Sequence, residues 1–151
     1  MKTIIIAFLL LQAAVSFGQT KEETISWLKE NLEKNLSGFN NSYTDIHLKS
    51  INECEIILGY KYKSTAFEAV LPTAVKKIAK AGYSGFTPNS GGDFLYNDKV
   101  VAVKNLSTEK TTHHRFFSSA NLRNAEEGIY DKVEKAMKQL AIFCEGKKIN
   151  R

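Results

Sequence analysis

Only two cysteines, two prolines and three histidines occur in this chain of 151 residues, and each scarcity removes options. Two cysteines allow at most one disulfide with one pairing, and standing alone, without a pair motif, they do not make a zinc site. The prolines serve as punctuation: Pro72 ends an apolar run and Pro88 falls in a glycine-rich loop. One run almost without polar residues is present, from Thr3 to Ala14, short of the about 20 residues a membrane span needs, and no second run follows it. The chain contains no Gly-x-Ser-x-Gly elbow, no glycine loop set between a strand and a helix, no internal repeat and no low-complexity tract. Nothing in it calls for a cofactor.

What is present begins with the N-terminus. Lys2, the run from Thr3 to Ala14, and small residues at Ser16 and Gly18 have the form of a secretory signal cleaved after Gly18. The expected domains are therefore 1–18, a signal peptide, and 19–151, a single α+β domain located in the periplasm or secreted. Without Lys2 the balance is 20 basic to 16 acidic residues, a net charge of +4. That permits weak attraction to anionic glycans, lipid headgroups or nucleic acid. The lysines are dispersed rather than clustered, so no specific nucleic-acid site is expected. Export makes Cys54 and Cys144 candidates for one disulfide, with two separate buried thiols as the alternative.

The element pattern starts with a capping box, Thr20-Lys21-Glu22-Glu23, followed by Ile25, Leu28, Leu32 and Leu36 at helical spacing, with Ser37-Gly38 as the stop. Trp27 projects away from that stripe. From Tyr43 the period changes to two, predicting strands over Tyr43–Ile51, Cys54–Tyr62 and Thr65–Leu71. Ala74–Ala81 reads as a two-turn helix with Val75 and Ile78 inward. Phe94–Tyr96 and Lys99–Val103 flank Asn97-Asp98 as a hairpin would, and Thr111–Phe117 reads as a last strand. The longest pattern is a terminal helix over Asn124–Glu145. Its apolar stripe is Ile129, Val133, Ala136, Leu140 and Phe143 with Met137 and Cys144, and Asn124 and Glu127 form its capping box. Asp131 with Lys135 and Glu134 with Lys138 are acid-before-base pairs of its solvated face.

The predicted fold is α+β: an N-terminal amphipathic helix, a bent, mostly antiparallel sheet or partly closed barrel of about six to seven strands, and a long C-terminal helix packed across it. In topology this resembles the pleckstrin-homology-like roll. In sequence, the Phe17-Gly18-Gln19 signal end, the Thr24-Ile25-Ser26-Trp27-Leu28 opening and the run from Lys135 to Cys144 resemble a group of small exported bacterial proteins with no assigned activity.

For function, His113-His114-Arg115 gathers titratable groups, but a strand turns the two histidines to opposite faces, and a metal site with His47 would need their strands to meet. A small periplasmic hydrolase would require one of these histidines to find a carboxylate. Binding is the better expectation. The Gly82–Asp93 loop carries Tyr83 and Phe86, with Lys76, Lys77 and Lys80 beside it; Trp27 is either a second aromatic anchor or, the preferred reading, packed against a loop or neighbouring element. The partner expected at such a surface is a protein or an anionic ligand.

Overall fold

The computed structural model describes residues 20–75, 77–81, 91–95, 101–122 and 128–149. Helix α1 (Lys21–Asn35) starts where the sequence places it: Glu23 N–H donates to Thr20 Oγ1 at 3.2 Å and Thr20 N–H to Glu23 Oε2 at 2.8 Å. Its buried face is turned from the purely apolar stripe. Thr24 and Asn35 are buried along with Leu28 and Leu32. Both polar side chains donate to the carbonyl four residues back, Thr24 to Thr20 and Asn35 to Asn31, each at 2.9 Å, and so can be buried at little cost. The turn brings Trp27 inward, half-buried against the core.

Ser37-Gly38 does not simply stop α1. Leu36–Gly38 is a strand, β1, which pairs with β10 (Ala120–Leu122). The main sheet contains β2 (Tyr43–Ile51), β3 (Glu55–Tyr62), β4 (Thr65–Pro72), β7 (Val101–Asn105) and β8 (Thr111–His114), in the order β2-β3-β4-β7-β8. A three-stranded sheet contains β5 (Lys77–Ala81), β6 (Gly91–Leu95) and β9 (Phe116–Phe117), in the order β5-β6-β9. Every pairing among the described residues is antiparallel, and these strands do not close into a barrel. There are ten of them rather than six or seven, because the later strands are short and divided between sheets.

Two local expectations are overturned. The helix expected over Ala74–Ala81 is the strand β5, which pairs from Lys77 with Leu95 to Ala81 with Gly91. Alanine and lysine favour a helix, but two turns cannot hold themselves together, and a neighbouring strand offers a full ladder of hydrogen bonds. β6 and β7, which the expected hairpin would pair, belong to different sheets; its turn at Asn97-Asp98 lies outside the described residues. The last strand also breaks at Arg115: β8 closes the main sheet while β9 joins the other.

Helix α2 (Ile129–Ile149) follows Gly128, whose φ of 78° is open to glycine and unfavourable for other residues. The expected capping box at Asn124 and Glu127 lies outside the described residues. Val133, Met137, Leu140 and Ala136 of α2 share one core with Leu28 and Leu32 of α1, Ile56, Leu58 and Tyr60 of β3, and Leu71, Ile78 and Val101. Leu122 N–H donates to the Tyr130 hydroxyl at 3.3 Å, tying β10 to α2. Burial pushes the Tyr60 hydroxyl above the usual phenol range, with Ser119 as its hydrogen-bond partner and Phe67 stacked at 5.4 Å.

Candidate functional site

The loop surface anticipated from sequence is only partly placed. Lys76, Tyr83 and Phe86 lie outside the described residues, Lys77 and Lys80 belong to β5, and Trp27 is half-buried on α1. The histidines are well placed and well separated. His47 is on β2 and His113 and His114 are on β8, at opposite edges of the main sheet, four strand spacings or roughly 19 Å apart. His114 Nε2 contacts Thr112 Oγ1 at 2.9 Å, and both β8 histidines are exposed. The acid–histidine contact that does form is elsewhere. His47 Nδ1 lies 2.8 Å from the Asp45 carbonyl and 3.9 Å from its carboxylate, with Lys61 on the same carboxylate at 3.2 Å. Among the described residues, no three His, Cys, Asp or Glu side chains gather as metal ligands.

The cysteines meet. Cys54 and Cys144 form a disulfide with a Cα–Cα distance of 4.9 Å across 90 residues of sequence. The Cys54 end is held by a turn in which Asn52 Oδ1 accepts from Cys54 N–H at 2.8 Å and Glu55 N–H at 3.0 Å, while the Cys54 carbonyl accepts from Thr73 N–H at 3.0 Å. Pro72, Thr73, Ala74 and Ala141 complete a cleft of about 190 Å³ over the bridge, with Glu145 on its wall. Its lining holds one carboxylate and no base, so it carries no acid–base pair.

The surface of α2 differs most from expectation. Phe143 leaves the core stripe and is 38% exposed; Ile142 beside it is 69% exposed. The buried row runs Val133, Met137, Leu140 and Cys144, flanked by Ala136 and Ala141. At about 100° per residue Ile142 stands roughly 160° from Cys144, near the centre of the outward face, and Phe143 stands roughly 100° from it. Spacing alone carries that phase when the stripe is centred on Met137 and Cys144, which leaves Phe143 at its margin. Lys132, Lys135, Lys138 and Gly146 are exposed on the same side of the helix.

Glu134 is not part of the solvated face either. Its side chain is 12% exposed, and its carboxylate accepts from Ile78 N–H on the open edge of β5 at 2.9 Å and from Lys138 Nζ at 2.6 Å. A charge-assisted bond to a partly buried donor is worth about 1.5 to 3 kcal/mol. Glu134→Ala is therefore expected to lower stability by about 2 kcal/mol in urea unfolding, whereas Lys138→Ala, which removes only the exposed partner, should cost less than about 1 kcal/mol. Equal effects of the two substitutions would show that Glu134 acts through the ion pair and not through β5.

No family model matches the chain, and neither does any curated protein or solved structure.

Proposed function

We propose that this chain is a non-catalytic binding module, exported to the periplasm or secreted, that makes contact through the outward face of α2 near its C-terminal end. The observation that carries this reading is the pair Ile142 and Phe143, exposed side by side on a helix whose opposite face is committed to the core. Export is supported by the Cys54–Cys144 bridge, which suits an oxidising compartment, and by the charged-then-apolar N-terminal sequence. No helix of the described residues is long and apolar enough to cross a membrane. The alternative of a histidine-centred hydrolase has less support, since His113 and His114 are exposed and the contact of His114 is a threonine hydroxyl.

Hydrogen exchange tests the reading. The purified chain is compared alone, with a total envelope extract of its host, and with the lipid-free soluble fraction of that extract. Binding at this surface is expected to slow exchange over 141–146 at least severalfold in the total extract, with little change in β3 and β4. Unchanged exchange over 141–146 in both extracts would refute the assignment.

A further inference from the structure

We infer that the partner of this surface is an anionic lipid bilayer, on which the end of α2 rests as a rigid peripheral anchor; the inference rests on the binding-module reading above. The chemistry of the face argues for it. Ile142 and Phe143 project from the outward side of α2, at 69% and 38% exposure. Lys132, Lys135 and Lys138 are exposed over the three turns before them. Apolar tips flanked by lysines match a headgroup layer. The ammonium groups remain among phosphates while their stems and the two apolar side chains reach the acyl boundary. The acids on this stretch are fewer. Glu134 is turned to β5 and Lys138, while Asp131, beside Lys132, and Glu145, which borders the disulfide cleft, are exposed.

The disulfide makes this an anchor that needs no folding on contact. Cys144 lies between Phe143 and Glu145 and is bonded to the turn before β3, so the backbone bearing Ile142 and Phe143 is held to the main sheet before any surface is met. An amphipathic segment that orders only on the membrane must give up conformational entropy there; this one is already helical. A protein partner would need a groove fitted to two side chains, whereas a bilayer presents its negative charge continuously along the row of lysines.

The test is co-sedimentation of the chain lacking residues 1–18 with vesicles of mixed phosphatidylglycerol and phosphatidylcholine, and with vesicles of phosphatidylcholine alone. The chain is expected to pellet with the anionic vesicles only, and to be released by high salt. Ile142→Asp is expected to lower the partition coefficient about tenfold or more, and Lys135→Glu about fivefold or more, with thermal unfolding of both variants unchanged since both positions are exposed. Failure to pellet with anionic vesicles, or an Ile142→Asp variant that pellets like the parent, overturns the inference. If exchange over 141–146 slows in the lipid-free fraction while vesicles do not bind, the partner is a protein, and the lipid assignment falls while the binding module stands. If both measurements are negative, both readings fall.

Discussion

Replacing Cys54 and Cys144 together by serine is expected to lower the stability of the folded chain by about 4 to 5 kcal/mol, the loop-closure entropy of a cross-link that spans roughly 90 residues. The bridge joins the turn before β3 to the second half of α2 over a sequence separation of 90. Without it, the unfolded chain regains the freedom of a loop that makes up about two-thirds of the domain, while the folded state loses only one contact at the cleft. For a domain of this size the midpoint of thermal unfolding should fall by about 15 °C. Calorimetry of parent and double variant, backed by thiol titration of the denatured, non-reduced parent, checks the argument. The parent should show no free thiol, and a loss below about 1 kcal/mol would mean that the unfolded chain is already compact across this loop. Because α2 also packs on α1 and β5, the variant should still fold, with its earliest exchange at the end of α2.

Gly38→Ala is expected to cost at least about 3 kcal/mol, for a different reason. A Cβ at Gly38 would stand 1.8 Å from the Tyr43 carbonyl oxygen, 2.7 Å from its carbon and 3.1 Å from the Asn40 carbonyl oxygen. All three are backbone atoms, so no side chain can swing aside. Relief would require opening the turn closed by Tyr43 N–H to the Asn40 carbonyl at 3.0 Å, or shifting the pairing of Gly38 with Ala120. Either movement disturbs the point at which α1 hands the chain to β2. Urea unfolding of the variant measures the effect; a loss under about 1 kcal/mol would show that the turn between 38 and 43 yields without cost.

These two positions also show how far the sequence can be read. Gly38 was legible as a stop, because glycine after an amphipathic run ordinarily ends a helix. That it is needed to let the backbone at Gly38 lie against the Tyr43 and Asn40 carbonyls follows from the way the chain folds back between β1 and β2, which residue type and spacing do not show. Cys54 and Cys144 were legible as candidates, but whether they bond depends on the distance between a turn and a helix. Lys77 and Ala79 carry local preferences for a helix, and pairing with β6 makes a strand of the segment, with the Glu134 carboxylate on Ile78 N–H. Glu134 itself, read as half of a surface ion pair, proves to be partly buried because the edge of β5 passes beneath it.

By itself the sequence determined what periodicity and capping can encode: the capping box of α1, the strands β2, β3 and β4, the existence of α2 and the α+β class. Such features depend on residues within about ten positions of one another, where side-chain direction follows from backbone geometry alone. Tertiary structure decided the rest. Which side of α1 is buried, which strands share a sheet, whether the cysteines bond, and which apolar residues of α2 remain outside the core all turn on contacts between distant segments. Phe143 and Ile142 are the clearest case. Hydrophobicity says that a side chain prefers to be covered, but only the arrangement of neighbouring elements determines whether anything is there to cover it.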